Sequence, residues 1–584
     1  MSRRVTSLTV KLVGLLSVLA LAVMACGQAA TPTTAPTKPA ATATKPPAAT
    51  STTGPVATAT PVPPTPTKPA PTSTAAPTVK RGGTIVLPNS AELSGVDPSK
   101  VSNYTTFYML PIWNQLVVFG NKSWSDHTVV GDLATSWTIS PDGKTYTFKL
   151  DPNAKWQNIA PVNGRALIAQ DVKWYFDLLR NPDYKSQHGA IMIDVDTIDA
   201  VDNQTVKFNL KAPFAGFANA LANPRLKVLA KEVYDKDGGF DKTAVGSGPW
   251  QYKSYERGTR VVNVKNPVYW KMGVDGKALP YTDEVDIVIV PSVEAHMAGL
   301  RSGQFAFETP GGLDLPSITN LRKQAPDLVV KTDYKLYAFQ LFINLKKEPF
   351  ASNLKLRQAI TKAINQNVLL TNAVGEPDAP WESPVTSGLS PYTLSQDELK
   401  QRLAYDLPGA KKLVAEANLP ANFSMEIWRQ HPRGTSVPLD TFPAILQQQF
   451  ADAGLKSTIA EPSTQAEAYA KIFNYTYDVA EGTIGFEGDI YNVFRAYWLP
   501  NGSQNKAGVN DPKLTKMIAD FDATVDQTKS AQISQDIQRY LLDNAYVVPL
   551  VSGRMYLPYQ PWFKGFSRSW PWGFNGLESA WIDK

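Results

Sequence analysis

A single cysteine in 584 residues, Cys26, leaves the chain without an internal disulfide, so any fold it adopts must be held by a hydrophobic core. The first 79 residues cannot supply that core. Arg3, Arg4 and Lys11 precede a small and apolar run from Leu12 to Ala25, the layout of a secretory signal peptide over 1–25. The run is shorter than the roughly 20 apolar residues that a membrane span requires. The "SRR" near the start hints at twin-arginine export, but the general route is expected. From Gly27 to Val79 the chain is almost wholly Ala, Thr, Pro and Ser. Such a stretch has too little apolar surface to offset its ordering entropy, and its prolines favour extended polyproline II. Residues 26–79 therefore read as a tether with a reach of about 150 Å at most.

Removing this leader changes the meaning of the net charge. All six basic residues before position 80 lie in it, and no acidic residue does, so 52 of the 58 Lys and Arg remain against 52 Asp and Glu. The body from Lys80 to Lys584 is formally neutral, which argues against a nucleic-acid partner. It is long enough for two or three domain-sized units.

Strand and helix patterns alternate along that body. "SWTISPDGKTYTFKL" reads as a hairpin turning at Asp142 and Gly143, with Tyr146, Phe148 and Leu150 on one face. "IDAVDNQTVKFNL" repeats the form, turning at Asp202 and Asn203, with Val206, Phe208 and Leu210 aligned. Between them Val172, Tyr175, Phe176 and Leu179 have the spacing of one helix face. "VDIVIVPSVEAHMAGLRSGQF" predicts a buried strand and then a helix from an N-cap at Ser292 to a stop at Gly303. Leu356, Ile360, Ala363, Ile364 and Val368 predict one further helix; "GAKKLVAEANL" and "AILQQQFADAG" predict two more. The mixture indicates α/β or α+β lobes, not a barrel or solenoid.

Catalytic signatures are absent. The four histidines, His127, His188, His296 and His431, lack ligand spacing, so no metal site and no cofactor are expected. "PDGKT" resembles the end of a phosphate loop, but Thr138 stands where its first glycine belongs and the segment is a hairpin turn. "VGSGPW" has Gly246 and Gly248 without a third glycine and reads as a tight turn, and no GxSxG occurs. A pair of carboxylates distant in sequence but adjacent in a cleft stays open at this level.

Two resemblances extend the reading. Val23, Met24 and Ala25 before Cys26 resemble the lipobox of bacterial lipoproteins, which implies a lipidated Cys26 as the new N-terminus; an ordinary cleavage site is the alternative. The body resembles the large extracellular solute-binding proteins of peptide and nickel ABC importers, the dipeptide and oligopeptide class. "LATSWTISPDGKTYTFKL", "NGRALIAQDVKWYFDLL", "VGSGPW", "NPVYW", "PYTDEVDIVIVPSVEAHMAGLRSGQF", "EPFASNLKLRQAITKAIN" and "NAYVVPLVSGR" carry that resemblance in order.

The family implies a two-lobed periplasmic-binding-protein-like α/β fold with a hinge and an interlobe ligand cleft. Lobe I would span 80–333 and return at 555–584, with lobe II at 334–554. It implies a monomeric, exported lipoprotein that hands its solute to membrane permease subunits and touches the membrane through its lipid. In peptide-binding members an aspartate in a W-x-x-D pattern pairs with the ligand's α-amino group. "GFEGDIYNVF" places Asp489 there, with Phe486 for the tryptophan and Gly488 before it; a plain turn role is the alternative. "WQNIAPVNGR", "AINQN", Ala306 and "IYNVF" depart from the family pattern. Other members take oligosaccharides, opines or chelated nickel, and Trp381, Trp428 and Tyr104 are candidate faces for a sugar, or else core residues. A cell-surface hydrolase and a stalked adhesin are the readings from other classes.

Overall fold

Both expected hairpins form, and they join. The computed structural model describes residues 78–584 apart from 91, 94, 101–108, 110, 121–127, 187–188, 309–312, 336, 432–436, 486–488 and 567–575. The strands Ala134–Ile139 and Thr145–Leu150 pair with Ile139 opposite Tyr146. Gly143 takes a left-handed φ of 69° in their turn, a conformation that glycine adopts without steric cost. The second hairpin, Val195–Asp202 with Thr205–Leu210, lies edge to edge with the first in one antiparallel four-stranded sheet. The helix Ala169–Arg180 lays Val172, Tyr175, Phe176 and Leu179 against it, all buried, with Phe176 edge-to-face on Phe208. Each large side chain so buried contributes about 1.5–3 kcal/mol. Asp171 holds the helix start: its carboxylate accepts from the Ile168 amide at 3.0 Å and from Arg165 at 2.7 and 2.8 Å.

A second four-stranded sheet orders Thr84–Asn89, Glu284–Ile289, Arg260–Lys265 and Trp250–Glu256; its first pair is parallel and the others antiparallel. Glu284–Ile289 is the strand expected, with Val285 and Ile287 buried and its other four residues half-buried. The helix Val293–Arg301 has Ser292 as its cap, and Gly303 lies just beyond its end with φ at 73°. Gly246 and Gly248 serve close packing more than turning. A Cβ on Gly246 would lie 2.1 Å from the Ile112 carbonyl oxygen, and one on Gly248 would lie 2.2 Å from that of Pro111.

The other lobe is built on a five-stranded sheet in the order Ser457–Ala460, Met425–Arg429, Val479–Gly485, Tyr337–Ile343, Val547–Pro549. Its first three strands are mutually parallel, and Tyr337–Ile343 runs antiparallel to both neighbours. The helix expected through Val368 stops at Ala363. Ile364 is extended, and Asn365 caps a new short helix, Gln366–Leu369, by accepting from the amides of Asn367 and Val368. A side chain that satisfies amides locally competes with the helix ladder, and here it wins. The helix expected from "AILQQQFADAG" begins earlier and spans Val437–Asp452. An antiparallel ladder, Val329–Tyr334 with Arg554–Tyr559, lies where the chain enters and leaves the five-stranded sheet, with Asp333 opposite Met555.

Candidate functional site

Open α/β sheets bind ligands beyond the carboxyl ends of their strands, and in the five-stranded sheet those ends carry buried polar groups. Register places Arg429 opposite Glu481 across the parallel pair. Arg429 is fully buried; its guanidinium meets Glu481 at 3.3 Å, Glu461 at 3.6 Å, and Asp440. Three carboxylates share this one cation, and the most deeply buried yields. Burial pushes the Glu481 carboxyl well above its ordinary range against the attraction of Arg429.

Next along the chain, Gln430 organises a neutral network around a buried cation. Its side-chain oxygen accepts from Lys506 Nζ at 2.8 Å and from the Thr483 amide at 3.2 Å. Lys506 also donates to the Thr483 carbonyl at 2.6 Å and lies over the rings of Phe342 and Tyr497. Gln465 donates its amide to the Gln430 carbonyl, so its oxygen accepts from His431 Nδ1 at 2.9 Å. His431 Nε2 then accepts from Gln430 Nε2 at 3.0 Å. That wiring fixes the neutral Nδ1–H tautomer. Burial pushes the His431 pKa down, as do the charges of Lys506 and Arg429, against the hydrogen bond to Gln465.

Asp489 lies just past the strand Val479–Gly485 and caps the helix Ile490–Trp498. Its carboxylate accepts from the Asn492 amide and from Asn492 Nδ2, each at 3.0 Å. Among the described residues no cation is hydrogen-bonded to it. It is 1% exposed, and burial raises its pKa to about 7, opposed by the Asn492 and Tyr491 amides and by Arg495 at longer range. Desolvation outweighs the cap.

Among the described residues no group of three or more His, Cys, Asp and Glu is arranged to hold a metal ion. The model of the bacterial extracellular solute-binding proteins, family 5 (middle region), matches residues 128–505, more than half of the chain. The chain belongs to that family. This solute-binding protein is 27% identical over 444 residues to the glutathione-binding protein GsiB of Pectobacterium atrosepticum, a match covering 74% of this chain and 81% of the relative. Its fold is shared with CtaP, an ABC transporter substrate-binding protein of Listeria monocytogenes, at a TM-score of 0.74, 20% identity, and coverage of 86% and 100%. DppA of Helicobacter pylori, solved with the peptide STSA, matches at a TM-score of 0.69, 23% identity, and coverage of 86% and 99%. The two-lobed fold expected from the sequence is thus the fold of the family. Relatives of this kind are solute-binding proteins of ABC transporters and not enzymes, so the hydrolase and adhesin readings fall.

The structure brings Asp489 to the strand ends but not the two tryptophans' ring faces to solvent. Trp428 is 3% exposed, donates its indole N–H to the Ala468 carbonyl at 3.2 Å, and is covered by Lys471 Nζ at 4.1 Å from the ring centre. Trp381 is 7% exposed within an apolar cluster of the same lobe. Tyr104, Phe486, Gly488 and Cys26 lie outside the described residues. Sequence reasoning missed Arg429, Gln430, Glu481 and Lys506. The polar run "RQH" directly after the strand pattern "MEIW" was the available signal.

Proposed function

We propose that this solute-binding protein is the lipid-anchored receptor of an ABC importer, that it encloses a short peptide between its lobes, and that Asp489 holds the peptide's α-ammonium group. The carrying observation is the state of Asp489: a carboxylate 1% exposed that, among the described residues, accepts hydrogen bonds from neutral donors and from no cation. An ammonium group delivered by a ligand supplies the missing charge, and a buried pair of this kind selects for a free amine. Similarity to a glutathione-binding protein and to a fold solved with a tetrapeptide supports the peptide class. Lobe I is taken as 80–333 with 555–584 and lobe II as 334–554, a division that the pairing of Asp333 with Met555 supports. Contacts made by both lobes exist only in the closed form, so solute shifts the population toward it. Acylation of Cys26 adds about 0.8 kcal/mol of membrane affinity per buried methylene, and the 26–79 tether lets the body reach its permease.

Titration calorimetry of the full-length protein tests this with glutathione, di- to hexapeptides, their N-acetylated forms, and cello- and xylo-oligosaccharides. Peptide heats that vanish on N-acetylation are expected. Binding of sugars alone, or peptide binding indifferent to acetylation, would overturn the assignment of Asp489.

A further inference from the structure

The helix that begins at Asp489 also forms a contact between the lobes. Tyr491 stacks on Phe521 of its own lobe with ring centres 4.4 Å apart and meets Phe214 of the other lobe edge-to-face at 5.8 Å. The Tyr491 ring lies on Gly216: a Cβ there would be 2.3 Å from Tyr491 Cγ. Arg495, one turn further along, places its guanidinium 3.7 Å from the centre of the Phe214 ring. It pairs with Asp522 at 2.8 Å and with Asp194, which immediately precedes the strand Val195–Asp202 of the first lobe. The Ala215 amide donates to the Asp522 carbonyl at 2.7 Å, a backbone hydrogen bond from lobe to lobe.

We infer that this contact is the closing latch of the cleft, and that Gly216 is glycine because any side chain there would hold the lobes apart. Such a latch presupposes the enclosure of solute between two hinged lobes proposed above. Among the described residues the two sides meet here through a backbone hydrogen bond, a shared arginine and a ring on a glycine, the mix of polar and apolar contacts found where domains of one chain move against each other. These contacts lie outside the ladder Val329–Tyr334 with Arg554–Tyr559, so rotation about that ladder breaks them together. Asp489, Tyr491 and Arg495 share one helix, so a solute held at its first residue and the docking of the opposite lobe act on one rigid element. Gly216 itself has φ −80° and ψ 5°, which alanine adopts without strain. Its substitution therefore acts across the interface and not on its own backbone.

Hydrogen exchange of the full-length protein without solute reads the latch directly through the Ala215 amide. Gly216→Ala is expected to speed exchange at Ala215 at least tenfold and to leave the sheet amides of 145–150, 205–210 and 339–343 unchanged. In a Tyr491→Ala background, where the obstructing ring is gone, Gly216→Ala is expected to add nothing. Unchanged exchange at Ala215, equal acceleration of all these amides, or additive effects of the two substitutions would overturn the latch. If Gly216→Ala does not fold, Asp194→Asn replaces it: several-fold faster exchange at Ala215 is expected, and none refutes the proposal. Because no solute is present, failure of the peptide assignment leaves this result standing, and failure of the latch leaves peptide binding untouched.

Discussion

Replacing Asp489 by asparagine separates its two roles, because stability and binding should move in opposite directions. Asparagine caps helices about as well as aspartate, so the bonds to the Asn492 and Tyr491 amides survive. The charge and its titration do not. With a folded pKa of about 7 against an ordinary value of 3.8, the folded chain holds a proton that the unfolded chain has released between those pH values. Wild-type stability from this group is therefore complete below about pH 4 and is lost as pH rises through 7. At about 1.4 kcal/mol per unit, the loss amounts to about 4 kcal/mol by pH 8. Asp489→Asn should match the wild type near pH 4 and exceed it by up to that amount at pH 8, at about 2–4 °C of melting temperature per kcal/mol for a lobe-sized unit. Thermal melts of the unliganded protein across pH 4–8 measure this. Affinity for a free-amine peptide at pH 8 should fall about 10–100-fold, the worth of a charge-assisted hydrogen bond. An Asn variant no more stable than wild type at pH 8 would refute the burial argument; unchanged affinity would refute the amine anchor.

Three further outcomes follow from other parts of the chain. Cys26→Ser should move the protein from the membrane fraction to the soluble one and abolish labelling by a radioactive fatty acid; retention on membranes with wild-type partitioning would sink the lipid-anchor reading. Lys506→Met keeps the length of the side chain but strips the Thr483 carbonyl of a donor. It should cost about 1–3 kcal/mol in urea unfolding, and a neutral result would mean that desolvating the cation offsets its bonds. Gly246→Ala drives a Cβ to within 2.1 Å of the Ile112 oxygen. That backbone cannot swing aside as a side chain can, so a loss of about 3 kcal/mol or more is expected, measured as a lowered unfolding midpoint; a wild-type midpoint would show that the segment is free to move.

What the sequence determined alone was what acts within a few residues. The Asp142–Gly143 turn, the inward faces of both hairpins and the helix stripe from Val172 to Leu179 are present, because alternation, turn chemistry and helical spacing are local; the second hairpin turns one residue later than expected, at Asn203 and Gln204, with Asp202 still in its strand opposite Thr205. Locality also explains the misplaced helix end: the apolar stripe continued past Ala363, but the cap at Asn365 restarted the ladder. The tertiary structure alone decided the site. Arg429 faces Glu481 because parallel register sets the two strands side by side, and Gln430 receives Lys506 from a turn 76 residues further along the chain. Asp489 was visible as a motif, but its burial and raised pKa depend on what surrounds it in space, and so does the need for glycine at 216. Propensity and turn type are properties of neighbours along the chain, whereas desolvation, charge sharing and steric room are properties of neighbours across it.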